Sequence, residues 1–328
     1  MEKHLLKQLV QYTFKEPVAL CTVMEWKGSV PRKDYPMMLV SQSGDIVGTI
    51  GGGTMEKEVI KRAIDALNNH EISLDSFDFT NNDLSKDGGL CGGTVKVSVE
   101  PYTRNIQSFF NELKHLNETR AWLTTFNLET NTISRSHIDI LATNQDPMIH
   151  NFIEARKNKS IQSEYTLQLF RFITPKPILH IFGGGHVGKA VGELAHYIEL
   201  DITIHDDRKS FVTKERFPHA LARSWDDVDS HMKSFVIEPT DLALVATRGH
   251  HHDFELMKWL LKSDIPWIGL VSSQRKWKLL SEGLLKDGYS KSDFNRVHAP
   301  VGVDIHAQTV PEIAVSIIGG IIDYLRKS

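Results

Sequence analysis

Residues 178–198 read ILHIFGGGHVGKAVGELAHYI: a short apolar run, a glycine turn and a helix-like stretch, in that order. Gly183, Gly185 and Gly188 satisfy the Gly-x-Gly-x-x-Gly spacing in the one context that gives it meaning, directly after a strand and opening a helix. The glycines permit a tight turn and close backbone approach, and the helix start then offers unpaired N–H groups to a phosphate. The same spacing also serves packing alone, so at this point both roles stand. Asp206 and Asp207 follow about 20 residues on, at the end of the next apolar run, where a ribose-binding carboxylate belongs. Arg208 beside them leaves NAD and NADP equally open.

From residue 175 onward the pattern repeats. DITIHDD (201–207), LALVATR (242–248) and WIGLVSS (267–273) read as strands. FELMKWLLK (254–262) and KWKLLSEGLLK (276–286) read as helices between and after them. Short buried strands alternating with helices predict a parallel sheet covered on both faces, a Rossmann-like unit over residues 175–328. Thr309 and Glu312 form a capping-box pattern for a last helix, whose buried stripe is expected at Ile313, Ile317, Ile321 and Leu325. Ligands of such sheets lie beyond the carboxyl ends of the strands. Two loops there are polar. Ser272, Ser273 and Arg275 stand at a helix start and are candidates to hold an anion. The other loop, residues 247–253, includes Arg248 and tempts a metal reading through His250, His251 and His252, but adjacent histidines diverge and no Cys or second His pair is spaced to complete a tetrahedral site, so a capped helix start or a substrate loop is expected there.

Residues 1–174 are expected to form a separate, mixed α+β domain, with Pro175-Lys176-Pro177 marking the break. Helical spacing runs through 4–14 and 55–67, and strands are expected at 18–26 and 94–102. The latter alternates strictly, apolar at Val95, Val97 and Val99, and so reads as half-buried. Ser43-Gly44-Asp45 marks a hairpin between two short strands. Between 105 and 174 the pattern is weak: a helix near 106–116, a strand near 121–128 and a turn-rich stretch at 142–152. Three glycine-rich turns stand out. Arg32 ends the turn GSVPR, Gly51, Gly52 and Gly53 precede a helix that carries Glu56, and Cys91 lies between glycine pairs that include Gly92. No loop ends in Gly-Lys-Ser/Thr, so nucleotide hydrolysis of the P-loop type is not indicated. Flanking glycines leave the Cys91 thiol accessible and surround it with N–H donors, favouring a reactive thiolate or soft-metal ligand. The plainer reading of Cys91 is a small apolar filler. Glu56 at a helix start also serves as a favourable dipole partner.

The chain has 328 residues and a net charge of −3, with 41% hydrophobic and 24% charged residues. That balance suits globular domains and argues against nucleic acid as a partner. Two cysteines make no disulfide framework, the first residues lack a secretory pattern, and no segment suits a membrane span. A soluble, cytoplasmic protein is expected, with a homodimer as the default self-association.

Taken together, GSVPR (28–32), TIGGGTMEKEV (49–59), CGGTVKVSVEP (91–101), ILHIFGGGHVGKA, HDDR, HHHD, IGLVSSQRK, APVGVDI and TVPEIAVSI resemble the xanthine dehydrogenase accessory factor family, XdhC/CoxI. The resemblance covers roughly residues 10–102 and 176–325, with an unmatched middle. It implies an N-terminal XdhC/CoxI domain and a Rossmann-like C-terminal domain. It further implies a factor that binds molybdenum cofactor, protects it during sulfuration by a cysteine desulfurase and delivers it to a molybdenum hydroxylase such as xanthine dehydrogenase. Such a factor is an insertion chaperone rather than an enzyme. Some relatives carry Cys after the glycines of the second turn; Thr54 stands there in this chain, which leaves Cys91 as the thiol of interest and the candidate molybdenum contact. The competing reading is an NAD(P)-dependent oxidoreductase, or a nucleotide-sensing module, built on the loop at 183–188.

Overall fold

The strand predicted at 18–26 is β1 (Val18–Lys27), and its first eight residues are all buried. A strand buried on both faces needs two covering layers. The computed structural model supplies them. It describes residues 9–10, 16–30, 32–79, 92–112, 119–141, 146–155, 157–173, 177–224 and 237–327. The chain divides into two units, residues 1–175 and 176–328.

In the first unit β1 is the centre of an antiparallel sheet. It pairs with β2 (Met37–Ser41), which pairs with β3 (Ile46–Gly48) across the Ser43-Gly44 turn. On its other edge lie β5 (Thr94–Pro101) and then β4 (Ser73–Asp78). Helix α1 (Gly53–Asn69) covers one face; its Met55, Val59 and Ala63 share a cluster with Cys21, Val23, Val97 and Val99. Burial pushes the Cys21 thiol far above its ordinary range, so it is core rather than nucleophile.

The second layer comes from the region where the pattern was weak. Four strands form an antiparallel sheet in the order β7 (Thr132–Ile138), β6 (Arg120–Asn127), β9 (Thr166–Ile173), β8 (Lys159–Gln162). Helix α2 (Arg104–Glu112) precedes it. The stretch read as turn-rich holds helix α3 (Pro147–Ala155); residues 142–145 are outside the described set. Asp146 starts α3 by accepting Met148 N–H at 2.7 Å, Pro147 suits its first position, and Phe152 stacks on Phe172 at 4.2 Å. Because this sheet covers the outer face of β5, that strand is not half-buried: Ser98 and Glu100 are buried as well as the valines. Glu100 is neutralised by Arg135 of β7.

A polar layer crosses this interior. Leu20 of β1 packs with Trp122 and Ile173, whereas Met24 packs with Phe126 and Leu169 in a separate cluster. Alternation places Thr22 between the first pair of positions and Arg171 between the last. Ser98 lies directly across from Thr22. The Arg171 guanidinium is 5.4 Å from the Trp122 ring and 3% of the residue is exposed. Thr22 Oγ1, Ser98 Oγ, Arg171 Nε and Arg171 Nη1 are buried with no hydrogen-bond partner.

The second unit is a parallel sheet in the order β12 (Ala222–Ser224), β11 (Ile202–His205), β10 (Leu179–Phe182), β13 (Leu242–Val245), β14 (Trp267–Leu270), β15 (Val297–His298). In order of appearance this is 3-2-1-4-5-6, the doubly wound dinucleotide-fold arrangement. Helices α4 (His186–Tyr197) and α7 (Val310–Lys327) cover one face, through Val191, Ala195, Ile317 and Ile321. Helices α5 (His250–Lys262) and α6 (Gln274–Lys286) cover the other, through Leu256, Leu260 and Leu284. Glu312 accepts Thr309 N–H at 2.9 Å, as the capping pattern predicts. Along α7, Ile313 and Leu325 are only half-buried, and Ala314 and Ile318 complete the covered stripe.

Candidate functional site

In the first unit the glycine turns meet at one end of the β1 sheet. A Cβ on Gly93 would lie 2.4 Å from Lys27 O and 2.5 Å from Ser29 O, so only glycine lets the third turn close on the first. Arg32 Nη1 reaches Thr49 O at 3.2 Å, tying the first turn to the second. Arg32 also grips Asp34, Nε to Oδ1 at 3.0 Å and Nη2 to Oδ2 at 2.5 Å.

Glu56 turns back from α1 into the loop before it. Its Oε2 accepts Thr49 Oγ1 at 2.5 Å, Ile50 N at 3.0 Å and Gly52 N at 3.1 Å. Burial alone would raise this carboxyl; the hydrogen bonds from Thr49 and the loop backbone outweigh it and hold it below its ordinary value. The chain's own carboxylate thus already holds the Ile50 and Gly52 N–H groups of this loop. Gly52 and Gly53 flank open space. Gly92 donates to Phe79 O at 3.2 Å. Cys91 lies outside the described residues.

In the second unit the three motif glycines have three different surroundings. Gly183 has a φ of +121°, and a Cβ there would meet Ala246 O at 2.2 Å. Gly188 lies against the turn itself, its added Cβ 2.0 Å from Gly183 O. Around Gly185 there is nothing within 4 Å, although its φ of −65° suits any residue. Gly185 is the N-cap of α4, and no side chain caps that end. The first and third glycines thus serve turn and packing, and the middle one keeps space open at a helix N-terminus.

Asp206 is at the expected strand end, yet its oxygens are engaged. Oδ2 accepts Gly184 N and Arg208 Nη2, each at 2.8 Å; Oδ1 accepts Arg208 N at 3.0 Å and Arg208 Nε at 2.7 Å. Burial would raise Asp206, but the hydrogen bonds from Arg208 and the Gly184 and Arg208 backbone dominate and lower it. The same pairing raises Arg208. Asp207, more open than Asp206, accepts Arg248 Nη2 at 2.9 Å. Together with His205 and His252 these four residues line a cleft between the ends of β10, β11 and β13, the topological switch point of the sheet. Its enclosed space is about 30 Å³, room for about one water.

The loop after β14, the candidate anion seat, opens α6. Ser273 caps α6, accepting Lys276 N–H at 3.2 Å, and Arg275 is exposed. Ser272 Oγ is buried without a partner. Lys276 contacts the buried Asp253, which also accepts Thr247 Oγ1 at 2.6 Å. Among the described residues no group of three or more His, Cys, Asp or Glu could hold a metal ion, and no helix is long and apolar enough to cross a membrane.

Sequence reasoning placed Arg248 in a polar strand-end loop but did not pair it with Asp207, and it did not anticipate the chain of buried polar groups Asp241, His180, Thr203 and His205 beneath the cleft. The available signal was His180, Thr203 and His205 inside otherwise apolar strands.

Comparison with known proteins gives two domain matches. The family model for the XdhC and CoxI family matches residues 14–78, and that for the XdhC Rossmann domain matches residues 179–321. The chain belongs to the XdhC and CoxI family. Two curated relatives resemble this XdhC-family chain along most of its length. "Uncharacterized protein YqeB" of Escherichia coli K12 is 25% identical over 307 residues, 93% of this chain; the chain spans 43% of that longer protein. A Bacillus subtilis protein described as a probable xanthine dehydrogenase subunit is 28% identical over 326 residues, covering 95% of this chain and 94% of the relative. A crystal structure of a xanthine dehydrogenase from Bacillus halodurans shares the fold of the XdhC-family chain. Its TM-score is 0.82 at 24% identity, over 98% of this chain and 95% of the other. Neither family model reaches β6 to β9, but the structural likeness does.

Proposed function

We propose that this XdhC-family chain is an accessory factor for a xanthine dehydrogenase-type molybdenum hydroxylase. In this reading it binds the molybdenum cofactor, shields it while a cysteine desulfurase supplies sulfur, and hands it to the client enzyme. The observation that carries the reading is the pair of domain matches on one chain, with a relative named for xanthine dehydrogenase. The cofactor is cargo here: its molybdenum chemistry belongs to the client.

The residues present offer a fit for its phosphate. Open space at Gly185, the uncapped N-terminus of α4 and the neighbouring Arg216, which donates to Gly184 O at 2.9 Å, suit a phosphate oxyanion. The loop at 51–53 suits one less well, because Glu56 already accepts the Gly52 N–H and Thr49 Oγ1 the Gly51 N–H. Within the first unit, Arg32, Gly92 and the Cys91 thiol are proposed as cofactor-binding residues in their own right.

A dinucleotide enzyme is the second reading, favoured by the strand order and by the space at Gly185. Against it, Asp206 is saturated by Arg208 and Gly184, so its carboxylate has little capacity left for a ribose hydroxyl.

The test is anaerobic binding of molybdenum cofactor, NAD and NADP to the wild-type chain and to Cys91→Ser. The accessory reading expects tight cofactor retention, weak dinucleotide binding and loss of retention in the variant. Dinucleotide binding without cofactor retention overturns it. Retention unchanged by Cys91→Ser removes the thiol from the site.

A further inference from the structure

Helix α7 presents water with apolar side chains where its neighbours present charges. From Ile313 to Ile322 it carries ten residues in succession without a charge. The outer side of α4 holds Lys189 and Glu193, and that of α6 holds Lys278 and Glu282. On α7, Val315 is 53% exposed and Ile322 39%, with the partly exposed Gly319 between them. Val303, 41% exposed, is strapped beside them: its N–H donates to Ser316 O at 3.1 Å and its carbonyl accepts Ser316 Oγ at 2.6 Å. A Cβ on Gly319 would lie 3.1 Å from Val303 Cγ2, so glycine there leaves a low point walled by that valine. Single exposed apolar residues need no explanation, but a contiguous set rimmed by charge does.

The rim has an order. Steps of three and four residues place Glu312, Val315, Gly319, Ile322 and Arg326 along one side of α7. Glu312 and Arg326, both exposed, stand at equal spacing on either side of Gly319, about 10 Å along the axis. Both backbone bonds of the Glu312 cap, from Gln308 N at 2.7 Å and Thr309 N at 2.9 Å, fall on one oxygen, Oε2. Asp323 is taken by Lys327 at 2.7 Å, and among the described residues Arg326 has no ion-pair partner. A stripe with opposite charges at its ends, apolar residues inside them and a small residue at the centre is complementary to its own reverse.

We propose that this stripe is the contact between two copies of the chain, their α7 helices crossing antiparallel at Gly319 about a two-fold axis. Under that axis Val315 of each copy covers Ile322 of the other, and Glu312 of each copy meets Arg326 of the other. The two Gly319 positions let the backbones approach, and Val303 of each copy closes the flank of the crossing. A two-fold interface requires a surface that matches itself in this way. A partner of different sequence would leave the symmetric placing of the charges about Gly319 without a reason. The contact costs the second unit nothing inside, because α7 holds the sheet through other residues, Ile317 and Ile321. The inference names the surface of self-association and is independent of the accessory reading.

The experiment is analytical ultracentrifugation of the full chain at micromolar concentration, with thermal melts to confirm that each variant folds. Wild type should sediment as a dimer. Because a two-fold axis counts each change twice, Ile322→Lys should raise the dissociation constant at least about a hundredfold, and Arg326→Glu, which sets like charges together, about tenfold. Ile322 is exposed in the single chain, so its replacement by lysine should leave the melting of the monomer unchanged. The direction of the helices is read by disulfide capture in a Cys91→Ser background. Mixed Val315→Cys and Ile322→Cys chains should cross-link on mild oxidation, whereas either chain alone should not, its two thiols lying about 9–12 Å apart along the axis. A monomeric wild type, or a dimer that survives Ile322→Lys unchanged, overturns the proposal. Cross-linking of Val315→Cys chains to themselves but not to Ile322→Cys chains overturns the antiparallel crossing.

Discussion

Replacing Gly185 by Ala separates fold from binding more sharply than other changes in the loop. At this position a Cβ meets nothing within 4 Å and the backbone φ is −65°, so alanine fits without strain. The structural cost is that of alanine at a helix N-cap, about 0.5–1 kcal/mol. Gly183→Ala and Gly188→Ala are the contrasting controls, because their new methyls would lie 2.2 Å from Ala246 O and 2.0 Å from Gly183 O. They should disrupt the turn and lower stability by at least about 2 kcal/mol, as overpacking does. If a phosphate occupies the space beside Gly185, the alanine methyl takes its place. Affinity should then fall at least about tenfold, about 1.4 kcal/mol. The assay is calorimetric titration with the molybdenum cofactor and, separately, with NAD and NADP, alongside thermal melts. Unchanged affinity for every phosphorylated ligand in a folded Gly185→Ala chain refutes the reasoning. A collapse of stability in that variant would show instead that the open space was misassigned.

Two further outcomes follow from charges inside the two units. Arg171→Met should stabilise the first unit by about 1–3 kcal/mol, because Nε and Nη1 of the guanidinium are buried without a hydrogen bond and burial pushes the group down to about 10; a lower melting temperature would contradict this. Asp206→Asn should destabilise the second unit most near neutral pH. The lowered carboxyl contributes stability above its unfolded value and loses it as pH falls through the folded one, so the gap from wild type should close in acid, as denaturant melts at pH 7 and pH 3 can test.

The Rossmann-like unit was legible because its four central strands are short, apolar and separated by helices with regular stripes. Its edges were not: β12 and β15 are three and two residues long and carry no periodic signal. The second sheet of the first unit was obscured for a different reason. In β7, TISRSHI, no residue is buried, so hydrophobic pattern had little to report. At the cleft, glycine spacing and Asp206 were readable from local order. The saturation of Asp206 was not, since a motif gives the position of a carboxylate but not which donors already hold it. Arg248 and Asp207 are 41 residues apart, and His180 and Asp241 are 61 apart. Only the strand register brings them together.

The polar layer in the first unit bears on how two sheets find one alignment. Two purely apolar surfaces can slide past each other by a pleat, since one aliphatic contact replaces another at little cost. Here a slip of two residues along β9 would drive the Arg171 guanidinium from its level between the two apolar clusters into one of them, toward Leu20 or Met24. Thr22, Ser98 and Arg171 act as an index mark across the sandwich. The Arg171→Met chain, though harder to melt, should lose that mark, and the consequence is a protein with a firmer core but more than one way to close it.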